Sequence, residues 1–421
     1  MDLEGIIREQ RGELEEIAGR GRLVARKGTE DARRFLAVPN ILAVLGVRRC
    51  GKSVFSHQLA VGRSFGYVNF DDERLAEITT ADLDKILQAF YSLYGDVEYV
   101  VLDEIQNVPG WELFANRLRR TKKVIITGSN STLLSGELST KLTGRHITFR
   151  LFPFSFREFL EYNGFSLQKA YTAQEKARIR NLLEEYLHKG GFPEGYALGD
   201  AILRRTYEDI VTKDVAGHFK VKKREDLRRL AHYLVSNSGC ETTYSKLSKI
   251  FAAKHVSTVS NWIAFLESAF LVFKLERFSY KLKEQVLAPK KIYCIDTGLA
   301  RSVAFNFSKN AGRAAENAVA VELLRRKKKG GEIYYWKDHQ QNEVDFVAKE
   351  GRKVAQLIQV TMEPPSFGMP GREAKALLKA GKELKCGNLL VITRDTEEEK
   401  TAENRAIKYV PLWKWLLEDA P

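Results

Sequence analysis

At 421 residues the chain is too long for a single hydrophobic core. Its 44% apolar and 29% charged content is that of a folded protein, which excludes an extended disordered polymer. Lys and Arg outnumber Asp and Glu by 68 to 54, a net +14 that favours a polyanionic partner, with nucleic acid ahead of an acidic membrane surface.

The four cysteines, Cys50, Cys240, Cys294 and Cys386, are scattered with no C-x-x-C pair, which argues against a zinc site or disulfide framework and for a reducing, cytoplasmic setting. The opening Met1-Asp2-Leu3-Glu4 has no apolar core segment, and no run approaches the ~18 apolar residues of a membrane span, so neither a signal peptide nor a membrane partner is expected.

Residues 1–37 read as charged helix. The first apolar run, Ile41-Leu42-Ala43-Val44-Leu45, has the pattern of a buried strand and leads into Gly46-Val47-Arg48-Arg49-Cys50-Gly51-Lys52-Ser53, a G-x-x-x-x-G-K-S phosphate loop. Val54, Phe55, His57, Gln58 and Leu59 continue as a helix. A strand feeding a Gly-rich turn into a helix aims backbone N–H groups at one point, where the helix dipole adds positive potential. Gly46, Arg48, Arg49, Cys50 and Gly51 would line the phosphates, Lys52 would reach the β- and γ-phosphates, and Ser53 would ligate Mg²⁺.

Apolar strand-like runs then recur at 65–70, 98–103, 123–128 and 147–151, with helical segments between. Short buried strands alternating with helices predict an α/β, doubly wound parallel sheet with its ligand at the carboxyl ends of the strands. The third run, Tyr99-Val100-Val101-Leu102-Asp103-Glu104, ends in two acids, the form of a Walker B motif: Asp103 would hold Mg²⁺ through water and Glu104 would polarise the attacking water. The fourth ends in Gly128-Ser129-Asn130-Ser131, where a polar side chain could touch the γ-phosphate. Arg145 precedes the fifth run, in the place of an arginine finger that reaches a neighbouring subunit's nucleotide in a homo-oligomer. No Asn-Lys-x-Asp guanine motif is present, which leans towards ATP.

These motifs, with Leu142-Thr143-Gly144-Arg145, Leu151-Phe152-Pro153-Phe154-Ser155-Phe156-Arg157-Glu158-Phe159 and Gly190-Gly191-Phe192-Pro193-Glu194, resemble those of an AAA+-type archaeal and bacterial ATPase family. The resemblance implies an ATPase core over 38–151, a helical lid over 152–230, a winged helix over 231–301 and a restriction-endonuclease-like α/β domain over 302–421. It also implies γ-phosphate sensing by Asn130 and a trans-acting finger at Arg145.

Tyr207, Ile210, Val211 and Asp214 share one helix face, which makes Asp209 and Asp214 structural. In the winged-helix segment, Tyr244–Phe251 and Ser257–Leu271 read as two helices, with Lys254, Ser257, Thr258 and Asn261 at the exposed start of the second, where a recognition helix meets double-stranded DNA. Phe273–Phe278 and Lys291–Ile295 fit two wing strands, with Lys281, Lys283, Lys290 and Lys291 as phosphate-binding charge. The run Arg325-Arg326-Lys327-Lys328-Lys329 reads as a solvated turn that complements a helix C-terminus, with DNA contact as the sharper alternative.

From 302 the predicted order is helix (Glu316–Arg325), three strands (Ile333–Trp336, Glu343–Ala348, Ala355–Thr361), a helix near 371–384 and a strand at Asn388–Thr393. This resembles the PD-(D/E)xK nuclease fold, in which Glu316, Asp345 and Gln359 would hold a divalent metal. The acid-x-Lys of the third strand is replaced by Gln359-Val360-Thr361; Lys337 and Lys353 are candidate substitutes for the lysine, and Glu343 shares a strand face with Asp345. Three functions stay open: a DNA-coupled ATPase, an ATP-gated metal-dependent nuclease, and a nucleotide switch for a protein partner.

Overall fold

The structure, a computed structural model, describes residues 2–19, 23–134, 142, 144–304, 311–328, 330–362 and 371–418. Thr143 of the Leu142–Arg145 motif and Lys329 of the basic run lie outside them. The chain forms two compact units: Met1–Pro153 with Glu161–Phe165 and Ser268–Phe270, and Phe154–Leu160 with Ser166–Glu267 and Leu271–Pro421.

The first unit is built on β1 (Ile41–Leu45), β2 (Phe65–Asn69), β3 (Tyr99–Asp103), β4 (Lys123–Gly128) and β5 (His146–Arg150), all parallel, in the order β2-β3-β4-β1-β5. Each lies within a residue of its expected limits. β1 is buried at every position, because helices cover both faces of a parallel sheet. The Lys52–Ala60 helix turns Phe55 against Phe149 of β5, rings stacked 5.0 Å apart. The expected N-terminal helix is two pieces, Leu3–Gly19 and Thr29–Leu36. In the first, the Arg11 guanidinium lies 4.0 Å over the Phe65 ring and 4.3 Å over that of Tyr94.

In the second unit, β6 (Glu241–Thr242), β7 (Val272–Arg277), β8 (Lys290–Cys294), β9 (Gly331–Lys337), β10 (Glu343–Glu350), β11 (Lys353–Val360), β12 (Leu389–Thr393), β13 (Glu398–Ala402) and β14 (Arg405–Pro411) form one sheet, ordered β13-β14-β12-β11-β10-β9-β7-β8-β6. The strands expected for the wing and for the C-terminal domain are therefore continuous. β7 pairs with β9 through Glu276↔Tyr334 and Arg277↔Tyr335. Just past this short ladder, the Phe278 amide donates to the Tyr335 carbonyl at 2.7 Å, and the Phe278 ring joins Trp336, Val344 and Leu377 in the core. Burial of that ring closes the seam where two paired residues alone would not.

The helices of this unit include Ala173–Lys189, Arg224–Ser236, Tyr244–Ile250, Val256–Ser268 and Ala311–Arg326. Elements that the sequence pattern did not predict include the Leu282–Leu287 helix between β7 and β8, the short strand β6, the helices Thr297–Val303 and Leu412–Leu417, and the terminal strands β13 and β14. The basic run divides: Lys327 and Lys328 are exposed just past the Ala311–Arg326 helix, as expected, whereas the two arginines depart from the solvated reading. Arg325 and Arg326 are buried against the equally buried Glu322, and Arg326 lies 4.3 Å over the Trp415 ring. A buried acid on the preceding turn holds both guanidiniums inward, so neither supplies surface charge.

Candidate functional site

The carboxyl ends of β1, β3 and β4 lie side by side in register, with Leu45 opposite Gly128 and Leu102 opposite Ile126. Gly46 begins the turn here, and a Cβ at this position would meet the Leu151 carbonyl oxygen at 2.2 Å, so only glycine fits. Arg49 and Gly51 take positive φ, 64° and 95°, to close the loop, and the Lys52–Ala60 helix follows. The Cys50 side chain is fully buried, its thiol against the Leu151 carbonyl at 3.6 Å, so Cys50 can offer phosphate only main chain. Arg48 pairs with Asp71 at 3.2 Å.

Lys52 is 5% exposed, and its Nζ lies 3.2 Å from Glu104 Oε1. Burial disfavours the Lys52 ammonium, but Glu104 first, then Cys50 and Asp103, together outweigh it and hold the Lys52 pKa above its usual value; for Glu104, burial is likewise outweighed by Lys52, Gln106 and Arg48 together, which hold it below its own. Glu104 is in the left-handed region, φ 51°, a conformation that costs a non-glycine residue on the order of 1 kcal/mol. Three contacts hold it there: its amide donates to Thr127 Oγ1 at 3.0 Å, and its Oε2 accepts from the Ser129 amide at 3.1 Å and from the Gln106 side chain.

Asp103 is 1% exposed. Burial, and then Glu104, push its carboxyl upward, while the Ser53, Thr127 and Tyr67 hydroxyls donate to it and oppose that shift. The Tyr67 phenol, itself held protonated by burial, donates to Oδ2 at 2.8 Å, and Thr127 donates to Oδ1. The residues named from sequence for phosphate and magnesium thus converge. Asn130 is buried beyond the end of β4, 3% exposed.

The sequence reading missed Tyr67, Thr127, Gln106 and Arg26. Arg26 donates to the Cys50 carbonyl at 3.1 Å and to the Phe152 carbonyl, pinning the phosphate loop from behind. A lone arginine ahead of the first strand carries no motif that could have marked it.

Arg145 is exposed and sits at the opposite edge of the sheet: its carbonyl accepts from the Ile41 amide at 2.9 Å, at the start of β1. Five strand residues at ~3.3 Å each separate that edge from the phosphate loop, roughly 15 Å.

In the second unit, Lys254, Ser257 and Asn261 are exposed and Thr258 is half-buried around the start of the Val256–Ser268 helix. Lys281 and Lys283 are exposed, with Lys281 3.1 Å from Glu284. Lys290 and Lys291 correct the expectation of a basic wing, being buried in β8 at 5% and 3% exposure. Lys290 donates to the Gln285 carbonyl at 2.7 Å and the Val286 carbonyl at 3.0 Å, satisfying the end of the short Leu282–Leu287 helix.

Lys291 points instead into the acids of the C-terminal segment. Its Nζ lies 2.7 Å from Glu343 Oε1, 2.9 Å from Glu316 Oε1 and 3.4 Å from Asp345 Oδ1. Glu316 also accepts from the Tyr293 phenol at 2.7 Å, and Asp345 Oδ2 from the Val360 amide at 2.9 Å. Burial and then Glu316 push the Asp345 carboxyl up, to about 7. Lys337 joins Glu343 at 3.1 Å and Glu241 at 2.6 Å, whereas Lys353 is exposed on β11. The Gln359 side-chain oxygen accepts from the Asp345 amide at 3.3 Å.

Residues 38–160 match the AAA_14 family, described as an AAA domain. Residues 180–310 and 311–415 match two domains of unknown function, DUF8612 and DUF4143. The chain is 34% identical over 400 residues to the uncharacterized protein MJ1544 of Methanocaldococcus jannaschii, covering 90% of this chain and 89% of that one. It is 31% identical over 344 residues to an uncharacterized protein of Haemophilus influenzae, covering 77% and 83%. Among solved structures, the Walker-type ATPase PABY2304 of Pyrococcus abyssi aligns at 16% identity and a TM-score of 0.41, over 65% of this chain and 95% of that one. With 34% identity over nine-tenths of its length, the chain belongs to the family of MJ1544, and its parallel five-stranded sheet, with the phosphate loop at the end of β1 and paired acids at the end of β3, is its AAA domain.

Proposed function

We propose that the protein hydrolyses ATP with Mg²⁺ and couples the nucleotide state to DNA held by its second unit. The observation that carries the first half is the meeting of Lys52, Ser53, Asp103 and Glu104 at the carboxyl ends of β1 and β3. A buried carboxylate bonded to a serine hydroxyl is a hard-oxygen donor set, and it fits Mg²⁺. Ser53 and Asp103 would hold the ion, which neutralises charge on the β- and γ-phosphates. Lys52 would exchange Glu104 for phosphate oxygens. Glu104, released from Lys52 but still oriented by Ser129 and Gln106, would then accept a proton from the attacking water. Asn130 would contact the γ-phosphate, and Arg145 would serve a neighbouring protomer.

The DNA half rests on composition and on the order of elements. A net +14, and the sequence Arg224–Ser236, β6, Tyr244–Ile250, Val256–Ser268, β7, β8, support a winged helix whose exposed Lys254, Ser257 and Asn261 face a duplex. The division into core, lid, winged helix and nuclease-like domain stands as part of this proposal, with the last two sharing one sheet through β7 and β9. The test is steady-state ATP hydrolysis by wild type and Glu104→Gln, with and without double-stranded DNA, with the DNA examined for cuts. Stimulation by uncut DNA supports the proposal. A rate indifferent to DNA favours a switch for a protein partner.

A further inference from the structure

The resemblance of the C-terminal segment to metal-dependent nucleases implies a divalent ion at Glu316, Asp345 and Gln359, and the side chains there do not fit one. The three N–H bonds of the Lys291 ammonium face three carboxylate oxygens, one each from Glu316, Glu343 and Asp345, at 2.7–3.4 Å. The remaining oxygens of two of these acids are also engaged, Asp345 Oδ2 by the Val360 amide and Glu343 Oε2 by Lys337. Gln359 spends its carbonyl on the Asp345 amide, not on the space between the acids. A metal ligand set needs carboxylate oxygens turned to a common point with no resident cation. Among the described residues, no group of three or more His, Cys, Asp or Glu side chains is arranged to hold a metal ion.

We propose that the Lys291 ammonium is the permanent cation of this cluster, standing where a divalent ion would otherwise sit, so that the C-terminal sheet binds no metal and cuts no DNA. Lys291 arrives from β8, three positions from β10 in the sheet order, with β9 and β7 between them. By bonding Glu316 on its helix and Glu343 and Asp345 on β10, it ties together the elements on either side of the β7–β9 seam. Three carboxylates in one place, Asp345 buried and Glu316 and Glu343 half-buried, repel one another unless a positive charge sits among them. A tethered ammonium supplies that charge at an effective concentration no free ion matches. The inference is independent of the nucleotide site.

The experiment is a Mn²⁺ titration of the full chain without nucleotide, followed by electron paramagnetic resonance of the free ion and by melting temperature. Wild type and Asp345→Asn are expected to take up the same amount of Mn²⁺ and to show the same Mn²⁺ shift in Tm. Lys291→Met is expected to melt lower and to gain one Mn²⁺, with its Tm recovering as Mn²⁺ is added; Lys291→Met/Asp345→Asn should lose that recovery. A wild-type Mn²⁺ site that Asp345→Asn abolishes would overturn the inference, as would Mn²⁺-dependent DNA cleavage sensitive to the same substitution. A folded Lys291→Met that gains no Mn²⁺ overturns it too. If Lys291→Met does not fold, the wild-type and Asp345→Asn titrations still decide.

Discussion

Lys52 Nζ and Glu104 Oε1 lie 3.2 Å apart, so the cation that would grip the γ-phosphate and the base that would activate water neutralise one another. Each would be expensive to bury alone. In the proposed mechanism a triphosphate would replace Glu104 as the partner of Lys52, and that exchange would free the carboxylate for catalysis.

Separating the two roles is direct. Lys52→Ala should abolish nucleotide binding, because its ammonium is the loop's charged donor at the β- and γ-phosphates. Glu104→Gln should bind ATP at least as well as wild type, since the competing carboxylate is gone, while hydrolysing it about 10²–10⁴-fold more slowly. Fluorescent-nucleotide titration and phosphate release check both, and a wild-type rate in Glu104→Gln would move the base elsewhere.

The Tyr67 phenol orients Asp103 from 2.8 Å. Tyr67→Phe removes one donor from an already buried carboxylate, so Mg²⁺-dependent nucleotide affinity should fall roughly 10–100-fold, the usual effect of losing such a support. Affinity measured in a metal chelator should not change. Equal losses with and without Mg²⁺ would mean that the phenol holds the fold, not the ion.

A third expectation concerns pH. Asp296 is fully buried, and burial pushes its carboxyl up to about 6, even though it accepts from the Leu299 amide at 2.8 Å and the Gly191 amide at 2.6 Å. Because the folded state then holds a proton that the unfolded state has released, this group's contribution is full below about pH 4 and is lost as pH rises through about 6, roughly 3 kcal/mol in all. Asp296→Asn keeps an oxygen acceptor without the charge. Denaturation followed from pH 4 to 7 should show a shallower decline of stability in the variant; parallel curves would refute the assignment.

Charge reversal at Lys281 and Lys283 should lower the salt slope of DNA binding by about 0.9 per lost phosphate contact. Lys290→Gln should leave that slope unaltered, because this side chain is buried against the backbone. Fluorescence anisotropy across a salt series separates these outcomes.

The phosphate loop and the paired acids were legible in the residues because each depends on local spacing: glycines where the backbone must close, and acids at the end of an apolar run. The supporting groups were not. Tyr67 and Thr127 come from two other strands and reach Asp103 only because parallel pairing sets β2 and β4 on either side of β3. The same limit explains the β8 lysines. Lys290 and Lys291 read as surface charge, since nothing nearby in sequence shows that β7 joins β9 and turns β8 inward.

By itself, then, the sequence determined the α/β core, its strands to within a residue and the placing of the loop and the paired acids at the ends of β1 and β3, because periodicity and loop geometry are local properties. The tertiary structure alone decided which charges are buried, that Arg145 lies across the sheet from its own phosphate loop, and that the acids of the C-terminal segment already own a cation. Those outcomes depend on pairings between strands far apart in the chain, and burial, which sets the cost of every charge, is known only once the pairings are made.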